Sequence, residues 1–160
     1  MSPRLASHIL PCPVVFISTA YGERRDIILA TAMFVTEKEP YIVVSLSKEG
    51  ETLKLIDQSG RFTVVLASEK QEDLYEQLAA FRSPVLDKFA AIGIHTLIPR
   101  PGRPLIPKDS AAWFECEPVD RKEINGYVVI IARVTEYEET ENPPLIWQKE
   151  EIFSLKFLSV

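Results

Sequence analysis

The dipeptide Asn125-Gly126, set between two strand-like runs, constrains this chain more than any other feature of its sequence. Asn-Gly is the preferred central pair of a type I′ turn, whose twist matches that of the strands it joins. On its N-terminal side Ala112, Phe114 and Cys116 alternate with Trp113, Glu115 and Glu117, the pattern of a half-exposed strand. On its C-terminal side residues 127–134 (YVVIIARV) form an almost unbroken apolar run. An antiparallel pair of roughly 112–123 with 127–137 follows.

Other segments read the same way. Residues 13–19 (PVVFIST), Tyr41–Ser47 (YIVVSLS) and 61–67 (RFTVVLA) are β-branched, apolar and bounded by turn residues. Their continuous apolarity predicts strands at least partly buried on both faces. Phe153, Leu155 and Phe157 alternate with Ser154 and Lys156 in a last strand. Helical signals fall between these runs. Ser68 with Gln71 makes a capping box, and Leu74, Leu78 and Phe81 then share one face. Ser83-Pro84 reads as an N-cap followed by proline at the first helical position, with a stop at Gly93. Thr52 reads as the cap of a shorter helix ended by Ser59-Gly60. Residues 99–107 hold four prolines and predict an extended loop. Six or seven strands with grouped short helices make a β-rich α+β chain, a single domain over residues 1–160. Periodicity does not say whether the sheet closes.

The net charge of −5 argues against nucleic acid or an anionic membrane as the main partner. No apolar run is long enough to span a bilayer, and residues 1–10 lack the apolar core of an export signal, so a cytoplasmic location is expected. Cys12 and Cys116 match no metal-ligand spacing; they form one disulfide or, as the absent export signal favours, remain free buried thiols.

No GxSxG, HExxH, GxGxxG or Walker loop is present, and His8, in an N-terminal tail, and His95 stand alone as structural histidines. No metal site or catalytic residue is assigned. Residues 45–56 (SLSKEGETLKLI) are better placed for a ligand. A buried strand ends at Ser47-Lys48, a glycine turn follows, and a helix begins near Thr52. Free N–H groups at a helix start, with hydroxyls and a lysine, suit a phosphate monoester. A capped helix with a surface lysine would have the same sequence.

An ordered series of short motifs adds to this. Pro13-Val14 opens the first strand, and Ala30-Thr31-Ala32-Met33-Phe34 follows. Next come Pro40 leading into Ser47-Lys48-x-x-x-Thr52-x-x-Leu55-Ile56, then Ser59-Gly60-Arg61-Phe62, and Asp87-Lys88-Phe89 before Gly93. The proline-rich loop and Trp113-Phe114-Glu115-Cys116 close the series. In order and spacing, residues 11 to 135 resemble the flavin reductase-like, FMN-binding split-barrel family, flavoredoxin-like proteins included.

The resemblance implies an antiparallel split β-barrel with short helices inserted between strands, homodimeric, with FMN near the subunit interface. It implies that Ser47, Lys48 and Thr52 contact the FMN phosphate. Ala30, Thr31, Ala32 and Met33 would run along the isoalloxazine, and Lys88 and Phe89 would lie near the flavin edge. The activity implied is hydride transfer from NAD(P)H to flavin. The alternatives are an electron carrier reduced by a protein partner and a binding module without flavin. A cofactor that carries its own redox chemistry needs no acid–base triad from the protein. The chain departs from the family pattern in places. Tyr127 and Ala132 stand where nicotinamide-using members often have histidine and glycine, and Asp26 where asparagine is common.

Overall fold

The computed structural model describes residues 5–155. Its strands are β1 (Cys12–Pro13), β2 (Val15–Tyr21), β3 (Arg24–Phe34), β4 (Tyr41–Ser47), β5 (Phe62–Leu66), β6 (Ala112–Ile124), β7 (Tyr127–Glu139), β8 (Leu145–Gln148) and β9 (Glu151–Ser154). Three helices intervene: α1 (Glu51–Ser59), α2 (Glu72–Ala80) and α3 (Lys88–Ile92). Six antiparallel strands close a barrel in the order β2-β3-β4-β7-β6-β5, and β1-β8-β9 form a small second sheet. The antiparallel barrel implied by the resemblance is therefore observed.

Closure explains the unbroken apolar runs. Phe16 and Ile17 are neighbours on β2, point to opposite faces, and are both fully buried. Ile17 joins Val44, Leu46, Phe62 and Ile130 inside the barrel, where Leu53 and Ile56 of α1 also insert. Phe16 joins Ile27, Val65, Leu78, Phe89, Trp113 and Leu145 in an outer core between barrel, helices and small sheet. A side chain of this size, fully buried, contributes about 1.5–3 kcal/mol.

The hairpin pairs as its sequence predicts, with Ile124 opposite Tyr127. Asn125 and Gly126 both have positive φ, +48° and +84°, as a type I′ turn requires. Gly126→Ala is expected to lower stability by about 1 kcal/mol, since a Cβ strains that conformation although space is free. Chemical denaturation measures it.

Four local expectations are corrected. The N-cap of α1 is Gly50, and Thr52 lies inside the helix because its hydroxyl is drawn to Asp26 of β3 at 2.6 Å. Ser83-Pro84 starts no helix; Asp87 caps α3, accepting from the Ala90 N–H at 3.1 Å. Aspartate out-competes serine here because its carboxylate also holds Arg25 at 3.1 Å. The last strand is Glu151–Ser154, and Phe157 lies outside the described residues. His8 belongs to no loose tail: it ends a short 3-10 turn and meets Trp147 edge-on at 5.6 Å. The Ser68/Gln71 capping box is present, as is the Ser59-Gly60 stop, with Gly60 left-handed. Both cysteines are free thiols. Cys116 is buried, which pushes its thiol up to about 12, and Cys12 is half-buried.

Candidate flavin-binding groove

Strand β3 positions the site. Asp26, Ile28, Ala30 and Ala32 share its barrel-facing side by the period of two, with Ile28, Ala30 and Ala32 against the inner core. At the end of β4 the chain turns through residues 48–50 into α1, whose first-turn N–H groups have no intrahelical partners. Gly50 supplies no side-chain cap. Those N–H groups therefore remain open to a ligand, and the helix dipole favours an anion there.

Three linked cavities run from this point along β3. The first, about 450 Å³, is lined by Asp26, Ser47, Gly50, Thr52 and Lys88, and by the 83–86 loop. The second, also about 450 Å³, shares Ser47 and Lys88 and adds Ala30, Thr31, Phe81 and Tyr127. The third, about 370 Å³, shares Ala30 and Thr31 and reaches Cys12, Tyr75 and Trp147. Neighbouring cavities share lining residues, so the three line up as a grooved face with donors at one end and a largely apolar far end.

A three-part polar lock closes its floor. Lys88 Nζ lies 2.8 Å from Asp26 Oδ1 and donates to the Ile27 carbonyl at 3.0 Å. It also faces the Phe81 ring at 5.3 Å. The other Asp26 oxygen accepts from the Thr52 hydroxyl. Asp26 and Thr52 are buried and the Lys88 side chain is only 15% exposed, so one carboxylate fastens α1 and α3 to β3. The outer edge carries an Arg24–Glu51 ion pair.

Ser47, Thr52, Lys88, Ala30 and Thr31 of the expected site residues thus line one groove. Lys48 sits beside it with its ammonium on Glu123 of the hairpin at 2.5 Å, and that hydrogen bond and charge hold it above the ordinary lysine range. Ala32 packs on the inner core, and Met33, 68% exposed, lies past the groove. Phe89 is buried in the outer core. Successive helical residues point about 100° apart, so with Lys88 on the groove Phe89 cannot also face it. Sequence reasoning missed Asp26 as a site residue; an acidic side chain in phase with Ile28, Ala30 and Ala32 was the available signal. The third cavity's Tyr75 and Trp147 carried no local signal, coming from different elements.

The family model for the flavin reductase like domain matches residues 7–156. The chain belongs to this family. Among curated relatives of this flavin reductase-like chain, a protein of Rhizobium meliloti named "Probable flavin reductase" is 34% identical over 127 residues. That match covers 79% of this chain but 39% of the relative, so the chain spans about two fifths of that protein's length. The "NADH-dependent flavin reductase StyB" of Pseudomonas fluorescens is 29% identical over 122 residues, covering 76% of this chain and 67% of the relative. The solved structure of the styrene monooxygenase flavin reductase from Pseudomonas putida superposes with a TM-score of 0.77 at 21% identity, covering 96% of this chain and 97% of that one. That likeness is one of fold.

Proposed function

We propose that the chain is an FMN-binding oxidoreductase of the flavin reductase type, taking hydride from NADH or NADPH, and working as a cytoplasmic homodimer. The observation that carries this reading is the groove on β3, with an uncapped helix start at one end and small side chains along its floor. That donor set fits FMN: a phosphate meets free N–H groups, Ser47 and a nearby lysine, and a flat apolar ring meets Ala30 and Thr31. FMN supplies the hydride-accepting chemistry, and NAD(P)H supplies the hydride.

The chain's residues bind and orient. Ser47 and the first-turn N–H groups of α1 hold the phosphate, with Lys48 in reach once it leaves Glu123. Ala30 and Thr31 let the ring lie close to the backbone of β3. Asp26, Thr52 and Lys88 keep both helices in place around it. The half-exposed Tyr127 stands at the second cavity and sets the room left for a nicotinamide. The homodimer reading is supported by the exposed apolar run Met33, Phe34 and Val35 near the end of β3. Phe34 meets Phe114 edge-on, and Phe114 in turn stacks on the exposed Tyr137. A patch of this kind on a soluble domain commonly marks an interface.

The test is the visible spectrum of the purified protein with FMN, and separately with FAD, followed by NADH and NADPH without oxygen. Bound FMN that bleaches with either nucleotide is the expected result. Bound flavin that stays oxidised would overturn the nicotinamide step, and FAD bound in preference to FMN would overturn the cofactor.

A further inference from the structure

At the other end of α1 from the flavin groove lies a second cleft of about 500 Å³. Four arginines line it: Arg25, Arg61, Arg100 and Arg103. Among the described residues no carboxylate does, although the chain as a whole is acidic. It shares no lining residue with any of the three groove cavities.

The arginines are held from behind. Arg100 and Arg103, from the proline-rich loop, both bond the buried Glu115. Each also reaches Glu136 at 3.2 Å, and Arg100 stacks over Trp113 at 5.1 Å. Arg25 leans on Asp87. Arg100 and Arg103 thus share two carboxylates, but a guanidinium has five donors in a fixed fork, so each keeps donors for a ligand. Arg61, half-buried at the start of β5, has no side-chain partner among the described residues. The cleft thus holds one guanidinium without a side-chain partner, Arg61, together with two that carboxylates hold in place; Arg61 and Arg103 also line an adjoining cavity that carries Glu115, Glu117 and Glu136. The end of α1 opposes an anion weakly, and Gly60 N–H already takes up the Ile56 carbonyl at 2.7 Å.

One wall is different. Tyr21, 50% exposed, and Pro99, Pro101 and Leu105 present flat apolar surface beside the arginines. A planar ring next to a multiply charged anion matches that division. We propose that this cleft is a binding site for a nucleoside diphosphate, its phosphates on Arg61, Arg100 and Arg103 and its base against Tyr21.

The test is calorimetric titration of the full chain with ADP, pyrophosphate and adenosine at low ionic strength, with and without excess FMN. ADP should bind more tightly than either fragment, and FMN should leave that binding unchanged. Arg61→Gln should weaken ADP about tenfold or more, the loss of a charge-assisted contact. Tyr21→Ser, at the exposed end of β2, should weaken ADP severalfold and pyrophosphate not at all. No ADP binding by the folded wild-type chain overturns the proposal, as does equal binding by Arg61→Gln. Displacement by FMN places the nucleotide in the flavin groove and also overturns it. Pyrophosphate binding as tightly as ADP overturns the nucleoside half.

Discussion

Replacing Asp26 with alanine is expected to cost about 3 kcal/mol of folding stability, the loss of one partner from a buried charge pair. The carboxylate is bonded on both oxygens, to Lys88 at 2.8 Å and Thr52 at 2.6 Å, and all three groups are nearly out of water. A surface ion pair of the same length would be worth under about 1 kcal/mol, because solvent screens it and either partner can be rehydrated. Here neither can. Without Asp26 the Lys88 ammonium keeps only the Ile27 carbonyl and the Phe81 ring, and Thr52 loses its acceptor. For a domain of this size the cost corresponds to a melting temperature lower by about 6–12 °C. Asp26→Asn should lose less, since an amide oxygen still accepts from one partner. Lys88→Met in the Asp26→Asn background should recover part of the loss, because the unpaired buried charge is gone. A double-mutant cycle on thermal or denaturant unfolding gives the coupling. Equal stability of wild type and Asp26→Ala would mean that the lock is not closed in solution.

That lock also shows where the sequence was legible and where it was not. Strands buried on one face and partly covered on the other announced themselves by composition: Val44 with the half-buried Val43, or Ile130 with the half-buried Ile131, leave little choice of structure. The hairpin was legible because Asn125-Gly126 determines register locally. Strand β3 was not read as a strand, though it is the wall of the site. Its first residues are Arg24, Arg25 and Asp26, and its second half holds Ala30, Thr31 and Ala32, so charge and small side chains mask the alternation. The charges are there because that end of the strand meets α1 and α3, and the small residues because the groove passes over them. Strand β8 was missed as well; it follows Pro143-Pro144 and is short, held by pairing to β1 and β9. The barrel itself came from resemblance, since closure depends on β5 returning to β2, a pairing across more than forty residues that no local pattern encodes. The loop and helix start after β4 suit a phosphate by their own chemistry, which a plain capped helix shares, and Ser47, Gly50 and Thr52 come together on one cavity. Phe89, expected with Lys88 near the flavin edge, lies in the outer core because adjacency in sequence is not adjacency on a helix.

Three changes around that helix start should move FMN affinity in different directions. Lys48→Ala is expected to weaken FMN about tenfold, with Lys48 turning from Glu123 to the phosphate in the bound state. The existing ion pair must break for this, which reduces the effect below that of a free lysine. Glu123→Gln should then tighten FMN severalfold, because the lysine no longer has a competing carboxylate 2.5 Å away. Gly50→Ser separates helix stability from ligand binding. Gly50 has φ −75° and ψ 153°, suitable for a serine cap, and an added Cβ would meet its nearest atom at an ordinary 3.6 Å. The serine hydroxyl can accept from the first-turn N–H groups, so the folded chain should gain a few tenths of a kcal/mol, about the usual difference between serine and glycine at a cap. The same hydroxyl competes with the phosphate for those donors, so FMN should bind several times more weakly to the more stable protein. Quenching of flavin fluorescence gives the affinities and thermal unfolding without flavin gives the stability. A serine variant that is more stable and binds FMN unchanged would remove the phosphate from the start of α1, whatever Lys48→Ala does.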